Sequence, residues 1–173
     1  MKIRNSTQND LEQLLSIYAY AREQMRAAGN PSQWKDCYPT TEQIITDIQN
    51  QNSHVITEDG EILAVFAFIL GDDPTYVRIE DGNWLNNEPY GTIHRIAAGG
   101  GKKGMFRCCL SFCEARAANI RADTHACNAA MQHLLETNGF QKCGRIYVAD
   151  GSPRIAYHKI VRVSSCNDPF VSY

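Results

Sequence analysis

Between Ala98 and Met105 the chain reads Gly99-Gly100-Gly101-Lys102-Lys103-Gly104. A strand pattern over Thr92–Ala98 precedes this segment and a helical pattern follows it, so it reads as strand, glycine-rich turn, helix start. The first N–H groups of a helix have no intrahelical partner, and the helix dipole adds positive potential there. Lys102 and Lys103 bring cationic charge to the same spot. The chemistry this suits is the binding of a pyrophosphate. No Gly-Lys-Ser/Thr follows, so it is not a Walker A loop, and its glycines and acidic residues are not in the order of a dinucleotide fingerprint. A plain connection that needs glycine for its backbone angles reads the same way.

Two other constellations invite chemistry. Asp123, His125 and Cys127 alternate, so an extended strand would put them on one face. A Cys–His hydrolase needs its nucleophile and base tip to tip, and i, i+2 strand neighbours have Cα atoms ~6–7 Å apart. That reading is set aside. Cys108, Cys109 and Cys113 share one helix without a closed zinc spacing. They read as reduced thiols that pack like small hydrophobes, and no metal site is expected.

The elements that position these residues follow from periodicity. Lys2-Ile3-Arg4 opens as a strand, and Ser6-Thr7 then offers capping hydroxyls to a helix reaching Ala28. Ile44, Ile45 and Ile48 mark one face of a second helix over residues 41–50. Two strands, 54–57 and 62–70, flank the turn Asp59-Gly60. A polar stretch, 71–91, follows, in which only residues 76–79 suit a short strand, one outside the main order; loops of this length are often functional. Then come a strand at 92–98, a helix at 105–118, a strand at 120–125, a helix at 129–138 and two strands around Asp150-Gly151. The order β-α-α-β-β-β-α-β-α-β-β is α/β (α+β in the older sense), with a mixed, mainly antiparallel central sheet flanked by helices.

Composition bounds the rest. The chain has 173 residues, 43% hydrophobic and 21% charged, which suits one globular domain. Residues 1–161 are expected to form it and 162–173 a C-terminal tail. The net charge of −2 carries no large electrostatic footprint, so neither a nucleic-acid nor a membrane partner is expected. The seven cysteines include no Cys-x-x-Cys pair, and no apolar signal core opens the chain, so a reducing cytoplasmic setting is expected.

His94-Arg95-Ile96-Ala97-Ala98, the glycine loop, Asn128-Ala129-Ala130-Met131 and Asn138-Gly139-Phe140 together resemble the GNAT superfamily of acyl-CoA-dependent N-acetyltransferases. Residues 121–125 and 151–157 are similar to a little-characterised bacterial subgroup, and the resemblance spans residues 2–160. It implies an acyl-CoA N-acyltransferase-like fold. It also implies transfer of an acetyl group from acetyl-CoA to a primary amine of a small molecule or peptide, by direct attack in a ternary complex.

The pantetheine arm is then expected between two diverging strands, paired with backbone groups of Ile96, Ala97 and Ala98. Gly101, Lys102, Lys103, Gly104, Met105 and Phe106 are expected at the pyrophosphate. Asn128 and Met131 are expected beside the arm, although Asn128 also suits a plain helix N-cap. Three positions depart from the family pattern. Gly101 stands where Gln or Arg is usual, and Phe106 where a small residue is usual. Leu135 stands where a tyrosine often protonates the departing thiolate.

His125, at the end of its strand, is the expected base that takes a proton from the ammonium, since imidazole chemistry suits neutral pH. Tyr147 is the expected acid in place of the absent tyrosine; His94 and Tyr157 rank below these two. Trp34 and Tyr38 on one segment, and Trp84, Glu88 and Tyr90 on another, are the expected acceptor wall. Packing of those loops onto the sheet is the competing reading. A homodimer through a sheet edge is compatible with this order. The alternative function is a non-catalytic acyl-CoA binder or sensor on the same fold.

Overall fold

Apolar alternation and helical spacing resolve into seven strands and four helices in the computed structural model, which describes residues 1–161. The expected tail, 162–173, lies outside the described residues. After β1 (Lys2–Asn5), a 3-10 turn at Gln8–Asp10 leads into α1 (Leu11–Ala27), which buries Leu14, Ile17 and Tyr18. The Thr40 hydroxyl accepts the Gln43 N–H at 3.2 Å and starts α2 (Thr41–Gln49). Such a cap contributes about 1 kcal/mol. The hairpin of β2 (Ser53–Glu58) and β3 (Glu61–Leu70) turns at Asp59 and Gly60, both left-handed, as a two-residue turn of this hand requires. Then follow β4 (Gly91–Ala98), α3 (Met105–Glu114), β5 (Asn119–Thr124), α4 (Ala129–Thr137), β6 (Gln141–Tyr147) and β7 (Pro153–Ile160).

One sheet takes all seven strands in the order β1-β2-β3-β4-β5-β7-β6. Every pairing is antiparallel except β4 with β5, so the sheet is mixed and mainly antiparallel, as expected. The helices cover both faces. Val55, Val65 and Ala97 pack with Leu14, Ile17 and Ile44 of α1 and α2. Phe66, Ile93, Ile120 and Tyr157 pack with Phe106, Cys109 and Leu110 of α3 and Leu135 of α4.

The long connection between β3 and β4 departs from expectation. No strand forms at 76–79. Pro74, which lacks an N–H, opens a 3-10 turn at Pro74–Tyr76, and the Asp73 carboxylate accepts the Thr75 N–H at 2.9 Å. Tyr76 is drawn into a third apolar cluster with Tyr90, Ile146 and Ala156. A single bridge, Glu80 to Arg145, ties the connection to β6.

The feature that positions the site is a bulge in β4. Val65 pairs with Ala97 and Ala67 with His94, so Arg95 and Ile96 together oppose Phe66. Arg95 is left-handed, with φ 51°. Its guanidinium forks onto Asp47 of α2 at 2.7 and 2.9 Å, and the Tyr18 hydroxyl donates to its carbonyl at 3.0 Å. A left-handed arginine costs conformational energy, and these three bonds hold it in place.

Candidate active site

β4 and β5 pair only at Gly91–Ile120 and Thr92–Arg121. Beyond these residues the strands part. β4 stays paired with β3 as far as Ala98–Ala64, and β5 with β7 as far as Thr124–Ile155. Their facing edges are therefore open, and a bulge bends a strand in just this manner. A cavity of about 570 Å³ fills the split.

His94 and Asp73 meet in this cavity. His94 Nε2 lies 2.7 Å from Asp73 Oδ2, with the two side chains 16% and 14% exposed. Asp73 is fixed further by the Thr75 N–H and hydroxyl, and its own N–H donates to the Tyr90 hydroxyl at 2.9 Å. Burial pushes the Asp73 carboxyl up, but the hydrogen bonds from His94 and Thr75 outweigh it and hold it at about 2. An ionised carboxylate only accepts, so Nε2 carries a proton, and in the neutral tautomer this selects, Nδ1 keeps the lone pair. Sequence reasoning passed over Asp73. Its signal was Asp73-Pro74-Thr75, a turn in which the carboxylate caps the next amides.

Asp123, on the open edge of β5, also lines the cavity and accepts the Tyr76 hydroxyl at 2.8 Å. Trp34 and Tyr38 form an aromatic wall, with ring centroids 6.3 Å apart. Phe106, Ile96, Met131, Leu135 and Asn128 line the same space. Asn128 caps α4, accepting the Met131 N–H at 3.1 Å, and its amide donates to Gln33 at 2.8 Å. It thus serves as the expected N-cap and also ties α4 to the α1–α2 connection.

The glycine loop lies at the end of β4. Gly100, Gly101 and Gly104 are all left-handed, and Gly104 is the N-cap of α3. Glycine brings no capping side chain, and the first helical bond runs from Cys108 N–H to Gly104 O. The amides of Met105, Phe106 and Arg107 precede that bond and are left for another acceptor. A Cβ built at Gly101 or Gly104 meets open space, so the loop has room beside it. Lys103 is exposed, whereas Lys102 forms an ion pair with Glu58. Met105 and Phe106 are buried in the core, and the Phe106 ring forms part of the cavity wall without closing the split.

Other expected residues lie elsewhere. His125 follows β5 in a turn and borders a second hollow with Lys142, Arg145 and Ile155. Its Nδ1 accepts the Cys127 N–H at 3.1 Å, and burial followed by the Arg154 charge lowers its pKa. The chain leaves the extended state at Thr124, which turns His125 away from the split. The Tyr147 hydroxyl donates to Glu80 at 2.9 Å and does not line the cavity. Trp84 and Tyr90 hold the Arg121 guanidinium between their rings, at 4.1 and 3.8 Å from the centroids. They pack the β3–β4 connection onto the sheet, Glu88 is exposed on that connection, and none of the three lines the cavity. The aromatic content was legible, but the turn at Pro74 decided which face it covers.

The sheet is thus split at its centre, with an uncapped helix start at one side and a carboxylate-held histidine at the other. A GNAT-family acetyltransferase from Streptococcus agalactiae is similar to this chain at 33% identity, with a TM-score of 0.84, over 94% of this chain and 96% of that one. The chain belongs to the GNAT family. A GNAT-family acetyltransferase from Listeria monocytogenes has the same fold at 18% identity and a TM-score of 0.67, covering 92% of this chain and 94% of that one. The NatC complex bound to Gag peptide and CoA shares the fold at 12% identity and a TM-score of 0.58, over 94% of this chain and all (100%) of that one. No family model and no curated protein sequence matches the chain. Among the described residues, no helix is long and apolar enough to cross a membrane.

Proposed function

We propose that the protein moves an acetyl group from acetyl-CoA to a primary amine of a small molecule or peptide, in a ternary complex. The observation that carries this reading is the split between β4 and β5, whose two open edges face a cavity holding a paired histidine. The residues fit the donor. The amides of Met105, Phe106 and Arg107, with Lys103, would hold the pyrophosphate at the start of α3. The free edge around Ile96 and Ala98 would pair with the pantetheine amides as an added strand. When bound, acetyl-CoA supplies an activated acyl group, which passes to the amine as the thiol is released.

The chain's own residues manage the proton. A primary ammonium is protonated at neutral pH and is not a nucleophile. His94 takes one proton from the amine nitrogen onto Nδ1, and Asp73 stabilises the imidazolium that results. A backbone N–H on the open edge of β4 serves as the oxyanion donor. Leu135, fully buried in the cavity wall, has no proton to give, so the departing thiolate draws its proton from solvent. The free thiols of the buried Cys109 and Cys113 support a reducing, cytoplasmic setting.

Leu135 also favours a second reading, a CoA-binding protein that does not turn over. Two measurements separate the readings. CoA titrated into the protein is expected to saturate below millimolar concentration, and release of thiol from acetyl-CoA is expected to rise on adding a primary amine. Binding without amine-dependent thiol release leaves the sensor. No binding at millimolar CoA removes both.

A further inference from the structure

Three cationic side chains line the cavity, and each is already engaged. Lys35 Nζ lies 2.5 Å from Asp150 Oδ2. Arg95 forks onto Asp47 and gives its remaining Nη1 to the Tyr38 hydroxyl at 3.3 Å. Arg154 gives Nη1 to Ser152 Oγ at 2.8 Å and the Pro153 carbonyl at 3.0 Å, and Nη2 to the Gln33 carbonyl at 3.3 Å. Its Nε stands 3.9 Å from Asp123 Oδ1, outside hydrogen-bond reach.

The carboxylates are less fully matched. Lys35 offsets Asp150, and Asp47 offsets Arg95. Arg95 is neutralised by Asp47 behind the wall, so Arg154 alone is left against Asp73 and Asp123, and the lining side chains taken with Asp47 carry one negative charge in excess when His94 is counted as neutral. Both Asp73 oxygens are bonded, to His94 and to Thr75. Asp123 accepts the Tyr76 hydroxyl on Oδ2, and Oδ1 has only the distant Arg154. The site thus offers one half-satisfied carboxylate on the open edge of β5 and no uncommitted cation.

We infer that the acceptor is a cationic amine with no carboxylate or phosphate of its own, whose ammonium is received by Asp123 and whose apolar body lies against Trp34 and Tyr38. This rests on the acyl-transfer reading above. An acceptor with its own anion would bring that charge into a partly dry cavity whose three cationic side chains are each already held by a protein partner. Aromatic faces favour both an apolar body and a nearby cation. Asp123 acts as a binding residue, while His94 receives the proton.

The test compares matched amines with the wild-type protein and acetyl-CoA, reading thiol release: tryptamine with tryptophan, tyramine with tyrosine, phenethylamine with phenylalanine. In each pair the amine lacking the carboxylate is expected to show a kcat/KM about 100-fold higher or more. Asp123→Asn keeps an acceptor for Tyr76 but removes the charge. It is expected to raise the amine KM about tenfold, with a smaller change in kcat and an unchanged KM for acetyl-CoA. Equal use of the amino acids, or turnover confined to phosphorylated or carboxylated amines, overturns the inference and leaves acyl transfer standing. Failure to bind CoA overturns the acyl-transfer reading, and the inference falls with it. A preference for carboxylate-free amines that Asp123→Asn leaves untouched overturns the role of Asp123. The matched pairs need no variant, so a misfolded Asp123→Asn does not shelter the substrate class.

Discussion

His94→Ala is expected to lower kcat for amine-dependent thiol release about 100- to 10,000-fold while leaving CoA affinity unchanged. The effect is large because His94 borders the cavity and carries its own orienting carboxylate. Asp73 fixes Nε2 at 2.7 Å and is itself fixed by Thr75 and Tyr90, so the lone pair on Nδ1 is presented in one orientation. His94→Gln restores a polar side chain without a base, so it should remain slow. Asp73→Asn keeps the bond geometry and removes the charge that favours the imidazolium, so its kcat should fall less than that of His94→Ala. Asp73 itself adds no pH dependence near neutrality. Its folded pKa, about 2, lies below the ordinary 3.8. Its contribution to stability is therefore fully present above about pH 4 and lost as pH falls toward 2. A His94→Ala protein that keeps turnover and an unchanged pH profile would remove this histidine from the chemistry.

Asp47→Ala is expected to be the most damaging single change to stability. Asp47 and Arg95 are each 7% exposed at the side chain and joined by two hydrogen bonds. Burial opposes the arginine charge, and Tyr38 and Asp47 more than offset it, so its pKa lies above the ordinary value. Removing the carboxylate leaves a buried guanidinium without a counter-charge, at a cost of about 3–5 kcal/mol. For a chain of this length that corresponds to a fall in Tm of about 6–20 °C. The double variant Asp47→Ala/Arg95→Met removes both charges and is expected to recover a large part of the loss, because the desolvation cost disappears with the pair. Thermal unfolding of the two single variants and the double decides it. A loss below about 1 kcal/mol for Asp47→Ala would show that this pair does not hold the bulge.

The two predictions concern adjacent residues with different tasks. The bulge puts Arg95 toward α2 and His94 toward the β3–β4 connection, and both line the cavity. Losing the Asp47–Arg95 pair is therefore also expected to loosen the strand that carries the proposed base and whose edge would bind the donor. A slower turnover in the double variant at recovered stability would measure that coupling.

The sequence by itself determined the elements and their order. Helical spacing of Leu11, Leu14 and Tyr18, the Asp59-Gly60 turn and the glycine run before Met105 are local signals, and local geometry obeys them. The glycine loop and the aromatic segment at Trp34 and Tyr38 were legible for the same reason. The base was not. His125 ends its strand as expected, yet the chain turns at Thr124 and delivers it to another hollow. His94 and Asp73 stand 21 positions apart and meet only because a 3-10 turn at Pro74 folds the connection back over the split. Residue type and spacing report what one segment does alone. Which carboxylate faces which histidine depends on where a bulge bends a strand and which loop covers the opening, and those are decided by contacts between segments distant in sequence.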